Sequence, residues 1–203
     1  MASKLLAAAL VLSTQSFSQT PAHKPLKPGL YAVFDTSQGE FTAELFEKYT
    51  PIAVSNFIGL AQGTRAWLDP ATNKPVKRRM YDNITFHRVV RGIMIQSGDP
   101  TGTGKHNCGF RIRDEFLPGL AFDHSGRLAV ANTGQPDSGG CQFFITDDVM
   151  REWNNEYTIF GQVIEGMNVV DAINKLPGHG DKPDNPAILR SVTIKRVSKP
   201  KKE

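Results

Sequence analysis

The sequence predicts a mainly β domain that carries two helices. About eight short segments alternate apolar and polar residues, which is the pattern of a strand with one buried face. Two other segments repeat their apolar residues at helical spacing. The length of 203 residues and the hydrophobic share of 39% suit one globular domain with tails. This number of strands favours a β-sandwich or a closed barrel, and composition does not choose between them.

The first residues are typical of a secretory signal peptide, which we assign to residues 1–18. Lys4 supplies the positive charge, an apolar run extends from Leu5 to Leu12, and Ser16-Phe-Ser18 has the small-residue spacing of a cleavage site. The apolar run is too short to span a bilayer. A disordered cytosolic tail is the alternative. With processing, we expect a periplasmic or secreted protein that has no contact with the membrane.

The domain itself is assigned to residues 29–198. Before it, residues 19–28 contain three prolines and two lysines without apolar periodicity, which indicates an extended linker. Residues 199–203 form a basic tail. The net charge of +4 comes in good part from these ends, and no basic stripe is interleaved with aromatic residues, so we expect no nucleic-acid binding.

A hairpin and a helix are predicted at the start of the domain. Leu30–Asp35 and Glu40–Leu45 alternate in hydrophobicity around a Ser-Gln-Gly turn. Thr50 is the predicted helix cap because Pro51 follows it, and Gly63 is the predicted end. The apolar face of this helix consists of Ala53, Phe57, Ile58 and Leu60.

The rest of the domain is predicted to be strands with one further helix. Residues 63–80 have no clear period around a lone Trp67, which indicates a long surface loop. A helix is predicted over Met167–Leu176, because Pro177-Gly178 follows its apolar face. Strands are predicted at 84–89, 93–97, 128–132, 142–146, 157–163 and 191–197.

Two motifs suggest functions that the surrounding residues do not support. Gly98–Lys105 resembles a phosphate-binding loop, but it has one residue too many between its glycines and His106 where a Ser or Thr should follow. Asp137–Gly140 resembles the nucleophile segment of serine proteases, but no His lies in the setting that a catalytic triad needs. The Cys and His residues show no metal-ligand spacing, so we expect no metal site.

Two strand segments place polar side chains among apolar residues: Arg88 and Gln96 in one, Asn132 and Gln142 in the other. No nucleophile or acid-base pair accompanies them. Rotation about an X-Pro amide suits such a set, since it breaks no bond, although its barrier is about 18–20 kcal/mol. In the twisted amide the prolyl nitrogen regains a lone pair, so an Arg donor would stabilise this state better than either planar form.

These segments resemble the cyclophilin family of peptidyl-prolyl isomerases, and the resemblance extends from Leu30 to Val197. It implies a closed eight-stranded antiparallel β-barrel capped by two α-helices. It also implies isomerisation of X-Pro bonds without a cofactor, because amide rotation needs neither electrons nor a metal ion. The motifs that carry the resemblance are Phe86-His-Arg88, Gln96-Ser-Gly-Asp99, Ala131-Asn132 and Gln142-Phe-Phe144.

The resemblance implies a role for each residue of the site. Arg88 would be the catalytic guanidinium, Gln96 would orient it or the substrate, and Asn132 would offer backbone groups to the peptide. The substrate-binding residues would be Ile93, Met94, Ala131, Gln142, Phe144, Trp153 and Tyr157.

Three positions depart from the family pattern. Ile93 replaces the usual Phe, Tyr157 stands at the usual His, and Glu152-Trp153 replaces a Trp-Leu pair. Because Arg88 is kept, we expect the isomerase activity to persist.

The chain has two cysteines, Cys108 and Cys141. In the family, the Gly-rich loop lies beside the residue before Gln-Phe-Phe, and these two places hold Cys108 and Cys141 here. The resemblance therefore implies a disulfide between them in an oxidising compartment. Two buried free thiols are the alternative.

The expected partners are proline-containing segments of unfolded or exported proteins, bound by a monomeric chain. A rival hypothesis is a proline-binding module or chaperone that kept the barrel and lost useful catalysis. The changes at Ile93 and Tyr157 favour this rival, whereas Arg88, Gln96 and Asn132 oppose it. An unrelated secreted hydrolase would need a nucleophile and a base that the sequence does not offer.

Overall fold

The computed structural model describes residues 25–199. The predicted signal peptide, most of the linker at 19–28 and all but the first residue of the basic tail lie outside the described residues. Within residues 25–199, no helix is both long enough and apolar enough to cross a membrane. Regular structure begins at Gly29 and ends at Val197.

The described chain contains mostly short strands. In chain order they are β1 Gly29–Thr36, β2 Gly39–Leu45, β3 Trp67–Leu68, β4 Pro75–Val76, β5 Ile84–Thr85, β6 Arg88–Val90, β7 Met94–Ser97, β8 Arg127–Val130, β9 Phe143–Thr146, β10 Ile159–Glu165, β11 Gly178–His179, β12 Lys182–Pro183 and β13 Ile188–Val197. The two α-helices are α1 Pro51–Gln62 and α2 Met167–Asn174, and a short 3-10 turn spans Arg151–Trp153.

Nine strands form one antiparallel sheet in the order β5-β13-β1-β2-β10-β8-β9-β7-β6. The mainly β fold with two helices is confirmed. The predicted closed eight-stranded barrel differs from the described sheet, which has nine strands and ends in two edge strands, β5 and β6, that do not pair with each other. The predicted strand 84–89 is divided, because its first part pairs with β13 and its last part pairs with β7. Phe86 and His87 connect these parts, so the two edge strands of the curled sheet, β5 and β6, belong to one chain segment.

The main core lies inside this curled sheet and is rich in aromatic rings. The predicted hairpin of β1 and β2 is confirmed, and its register sets Phe34 opposite Phe41 with the ring centroids 4.5 Å apart. Phe57 of α1 contacts Phe34 and Phe143 at 5.9 and 5.5 Å. Helix α1 is therefore held at the sheet by its apolar face, as its helical spacing predicts.

The segment 63–80 is more ordered than the sequence predicts. Strands β3 and β4 pair as a small hairpin, and Trp67 is buried with its indole nitrogen donating to the Arg78 carbonyl at 2.9 Å. Most of the segment is exposed, in agreement with the predicted surface loop, but its short hairpin and the burial of Trp67 were not predicted. A buried indole contributes a large apolar surface once its N–H has a partner, which explains why this segment packs onto the domain.

The predicted bounds of helix α1 are confirmed, and Thr50 stands at the N-cap position, but its side chain makes no capping hydrogen bond. Gly63 ends the helix in the left-handed region with φ of 75°. At the start, the Thr50 hydroxyl is buried without a hydrogen-bond partner in the described chain. The Glu115 carboxylate instead accepts from the backbone N–H groups of Ile52 and Ala53 at 3.1 and 2.9 Å. A distant carboxylate therefore satisfies the helix N-terminus and complements its dipole.

Because Glu115 and not the Thr50 hydroxyl caps helix α1, substitutions at these two residues should have different effects on stability. Glu115→Ala should lower the free energy of unfolding by about 1 kcal/mol, because it leaves two helix N–H groups without their acceptor. Thr50→Val should be neutral or slightly stabilising, because it removes a buried hydroxyl that has no partner. Urea unfolding of both variants measures the two effects, and a loss at Thr50 equal to that at Glu115 would contradict this assignment.

Helix α2 fixes the turn between β6 and β7. The buried Asn174 accepts from the Gly92 N–H at 2.6 Å and donates to the carbonyls of Val90 and Met94 at 3.0 and 3.3 Å. One amide side chain thus satisfies three backbone groups of the turn. The end of the sheet that carries Arg88 and Ile93 is positioned by this contact.

Candidate active site

Strands β6, β7 and β9 separate their side chains onto two faces. Val89, Ile95 and Phe143 point into the main core and are at most 1% exposed. Successive side chains of a strand alternate between faces, so Arg88 and Gln96 lie on the opposite face. The register sets Arg88 opposite Gln96 and Gln96 opposite Phe144, so these residues form one row across three strands.

This outer row lies in a groove with a volume of about 960 Å³. Gln142 is the only predicted site residue outside its lining, and it lines an adjoining pocket of about 450 Å³. The two pockets share Gln96, Ala131 and Asn132, so an extended ligand could pass from one to the other. The predicted site residues that line the groove are Arg88, Ile93, Met94, Gln96, Ala131, Asn132, Phe144, Trp153 and Tyr157.

The floor of the groove is an apolar and aromatic cluster. The Phe144 ring contacts Tyr157 at 5.1 Å and Trp153 at 5.5 Å, both edge to face. Phe122, which sequence reasoning missed, is fully buried and stacks on Phe144 at 6.0 Å. Met94 belongs to the same cluster. A small apolar ring would lose its hydration here and gain dispersion contacts.

A chain of hydrogen bonds orients the polar side of the groove. Gln142 donates to the Gly104 carbonyl at 3.0 Å and accepts from Gln96 at 2.8 Å. Gln96 in turn accepts from Arg88 Nη1 at 3.3 Å. The carbonyl can only accept and the guanidinium can only donate, so both glutamine amides have one allowed orientation. The groove is therefore pre-organised around Arg88.

Two further nitrogens of Arg88 contact Asp181. The Nε and Nη2 atoms lie 3.0 and 2.9 Å from Asp181 Oδ2. Both side chains are about half exposed, at 48% and 51%. No sequence pattern indicated Asp181, because it lies in the segment after α2, which carries no motif.

Asn132 is held by its side chain and lies just beyond the sheet. Its amide donates to the Glu156 carbonyl at 2.7 Å and accepts from the Gly134 N–H at 3.0 Å. Strand β8 ends at Val130, so the predicted strand 128–132 is two residues too long. The Asx turn with Gly134 explains this early end. The backbone of Asn132 is therefore available beside the groove rather than used by the sheet.

The glycine-rich segment 98–105 forms one wall of the groove. The buried Asp99 carboxylate accepts from the Thr101 N–H and hydroxyl, both at 2.7 Å. Burial raises the pKa of Asp99, but these and other hydrogen bonds outweigh that effect and lower it. Gly98 has φ of 93°, and an added Cβ would lie 2.5 Å from the Cys141 carbonyl oxygen. Close packing on Cys141 rather than phosphate binding accounts for this glycine.

His87 lies beside Arg88 in the groove lining and was not assigned a role from the sequence. Its partial burial lowers its pKa, and the Asp99 carboxylate acts in the opposite direction. The neutral imidazole is therefore favoured in the folded protein. The motif Phe86-His-Arg88 already contained this residue, but burial is not visible in a sequence.

This lowered pKa predicts how stability depends on pH. An unfolded His titrates near pH 6.5, so His87 favours unfolding as pH falls from about 6.5 through its lower folded pKa. Its contribution is fully present above about pH 6.5. We expect the urea midpoint to fall less between about pH 7.5 and about pH 5 in His87→Gln than in the wild type, because this range includes the pKa of about 6.5 of an unfolded His and Gln does not titrate. Equal falls in both proteins would contradict the assignment.

Cys108 and Cys141 are buried free thiols that line the adjoining pocket. Each thiol changes the pKa of the other. A hydrogen bond from Cys141 lowers the pKa of Cys108, while the contact with Cys108 and burial raise the pKa of Cys141. The Cys141 carbonyl also accepts from the buried Tyr81 hydroxyl at 2.8 Å. The two cysteines are therefore neighbours in the fold, as the resemblance implied.

The described residues contain no group of three or more His, Cys, Asp or Glu that could hold a metal ion. The groove offers a guanidinium, two oriented amides and an aromatic floor. Such a site can bind an extended peptide and stabilise a change of its conformation.

Comparison with known proteins identifies the family. A model described as cyclophilin type peptidyl-prolyl cis-trans isomerase/CLD matches residues 31–198. Peptidyl-prolyl cis-trans isomerase A of Mycobacterium tuberculosis is 43% identical over 166 residues, which are 80% of this chain and 91% of the relative. Peptidyl-prolyl cis-trans isomerase B of Streptomyces anulatus is 40% identical over 169 residues, which are 81% and 96% of the two chains.

Solved structures show the same relationship. A Cryptosporidium parvum cyclophilin type isomerase superposes with a TM-score of 0.71 at 32% identity, covering 84% of this chain and 98% of that one. A crystal structure of the same isomerase in the presence of the dipeptide Ala-Pro gives a TM-score of 0.70. This chain belongs to the cyclophilin-type peptidyl-prolyl isomerase family. It is an enzyme that catalyses cis-trans isomerisation of peptidyl-prolyl bonds.

Proposed function

We propose that Arg88 supplies the catalytic contact in this isomerase. The pyrrolidine ring of the substrate rests on Met94 and Phe144, and the guanidinium faces the prolyl nitrogen. As the amide twists, this nitrogen loses conjugation and becomes a hydrogen-bond acceptor. An N–H donor in place at that moment stabilises the twisted state more than either planar state, which lowers the barrier.

The observation that carries this proposal is the row formed by Arg88, Gln96 and Phe144 across three strands. It sets a fixed cation beside an apolar floor, and both are needed for an amide that is polar on one side and carries a hydrocarbon ring on the other. The fixed orientation matters because a pre-organised donor needs no rearrangement during the reaction.

Asn132 and the loop residues beside it would hold the rest of the peptide. The backbone of Asn132 lies outside the sheet and next to both pockets. An extended segment can form backbone hydrogen bonds there while one side of the X-Pro bond rotates. The expected ligand is therefore a proline-containing segment of an unfolded chain, in keeping with the Ala-Pro dipeptide of the related crystal structure.

The roles are tested by the rate of cis-trans exchange in an X-Pro peptide, measured by NMR. Arg88→Ala should lower kcat/KM by about 100-fold or more, the size of effect seen when a transition-state donor is removed. Arg113→Ala is the matched control, because Arg113 is exposed and lines neither pocket. Unfolding midpoints should stay close to that of the wild type.

Each outcome of that experiment has a meaning. If the wild type accelerates exchange and Arg88→Ala, still folded, does not, the catalytic role stands. If Arg88→Ala keeps the wild-type rate, Arg88 is not the catalytic group. A wild type that binds proline peptides without accelerating exchange would support the rival hypothesis of a binding module.

We further propose that this isomerase acts on exported proteins in the periplasm or outside the cell. The support comes from the sequence pattern of residues 1–18, which is typical of a signal peptide. Proline isomerisation is slow enough to limit folding, so an isomerase is useful wherever chains fold after export.

In that compartment Cys108 and Cys141 would form a disulfide. Their burial and their position in the lining of one pocket support the pairing. Chain-entropy models give roughly 3–4 kcal/mol for closing a loop of this length. The bond would join the segment that follows the glycine-rich wall of the groove to the segment that precedes β9.

One mass measurement tests both proposals. The full chain, expressed with its own leader in a Gram-negative host and recovered from the periplasm, should have the mass of residues 19–203 less two hydrogen atoms. Cys108→Ser should restore the mass expected for a chain with one free thiol. An uncleaved chain would contradict export, and a cleaved chain with both thiols reduced would contradict the disulfide alone.

A further inference from the structure

A hairpin that follows helix α2 contributes Asp181 to the groove. Strands β11 and β12 form this hairpin, and Asp181 lies in the turn between them. His179, Asp181 and Lys182 line the groove. The hairpin is therefore part of the site, although its residues carry no motif.

Backbone hydrogen bonds join the hairpin to the strand that bears Arg88. The Val89 N–H donates to the Asp181 carbonyl at 2.8 Å. Arg91 donates to the carbonyls of Gly180 and Leu176 at 3.0 and 2.8 Å. The main chain of Asp181 is thus fixed relative to β6, independently of its side chain.

The Asp181 carboxylate then holds one edge of the Arg88 guanidinium. Nε and Nη2 both lie within 3.0 Å of Asp181 Oδ2, while Nη1 contacts Gln96 Oε1 at 3.3 Å. These contacts lie on different edges of a planar group, so together they fix its plane as well as its position. A guanidinium held only by Gln96 could rotate about the long side chain.

We propose that Asp181 is the positioning residue for the catalytic arginine. It orients the guanidinium for the prolyl nitrogen and does not itself touch the substrate. This inference rests on the proposed role of Arg88. The pair is half exposed, so its direct contribution to stability is small and its effect should be on orientation.

The opposite role for Asp181 is physically possible, and the two roles differ in sign. If the carboxylate competed with the substrate for Arg88, removing it would free the guanidinium and raise the rate. If the carboxylate positions Arg88, its removal lowers kcat and leaves KM unchanged. The substrate still binds, but the guanidinium is correctly oriented for a smaller fraction of the time.

The test compares Asp181→Ala, Asp181→Asn and Asp181→Glu with the wild type in the X-Pro exchange assay. We expect kcat to fall by about three- to tenfold in Asp181→Ala, the scale of a partly exposed charge-assisted contact. Asp181→Asn should be intermediate because its Oδ1 still accepts, and Asp181→Glu should recover part of the rate. The Nε–H resonance of Arg88 should lose its protection from solvent exchange in Asp181→Ala.

Asp35→Ala is the matched control. Asp35 pairs with Arg190 at 3.1 Å, with side-chain exposures of 47% and 53%, so it is the same kind of ion pair away from the groove. This variant should keep the wild-type kcat and the Arg88 resonance. In an Arg88→Ala background, Asp181→Ala should cause no further loss, because there is no guanidinium left to position.

The failures of the two proposals are distinguishable. An Arg88→Ala variant that keeps the wild-type rate would overturn the proposed catalytic role of Arg88 and, with it, the positioning role of Asp181. An active wild type with unchanged or increased kcat in Asp181→Ala would overturn only the positioning role. A further loss of rate in the Arg88→Ala background would show that Asp181 acts on something other than Arg88, which also overturns it.

Discussion

The two-residue alternation of strands β6, β7 and β9 is the constraint on which the rest of the structure depends. Every second side chain must fill the main core, as Val89, Ile95 and Phe143 do, so the residues between them are directed to the outer face. The core therefore determines the register, and the register determines that Arg88 lies beside Gln96. A shift of one residue would exchange the two faces and remove both the core and the groove at once.

The outer face is itself divided into a polar and an apolar part. The aromatic rings around Phe144 form a second cluster that is separate from the main core and lies against the same sheet. The polar part is not free to adapt, because each donor meets a group that can only accept. The Gly104 carbonyl fixes the orientation of the Gln142 amide, and Gln142 in turn fixes the orientation of the Gln96 amide. Arg88 donates the last hydrogen bond of this chain to Gln96. A site that changes conformation without bond cleavage relies on such fixed orientation.

Elements outside the main sheet hold the groove in place. Asn174 of α2 fixes the turn between β6 and β7, and the hairpin of β11 and β12 contacts Arg88 through Asp181. Asp99 organises the glycine-rich wall through hydrogen bonds to its own segment. Each of these residues uses a side chain to satisfy local backbone groups or a neighbouring cation. Such polar side chains are found where the chain leaves regular structure. The hydrogen bonds of the sheet pair only the backbone groups of its strands, so backbone groups outside the strands need other partners.

The sequence by itself determined the strand and helix periods, the hairpin of β1 and β2, both helices and the motif residues of the groove, because these depend on local alternation and on short motifs. It did not determine the division of residues 84–90 into two strands, the burial of Trp67 or the cap of α1 by Glu115. Nor did it indicate Asp181. These features depend on which distant segments meet, and a buried indole, a helix N-terminus or a guanidinium accepts a partner from any part of the chain that the fold brings within reach. Only the tertiary structure decides which residue that is.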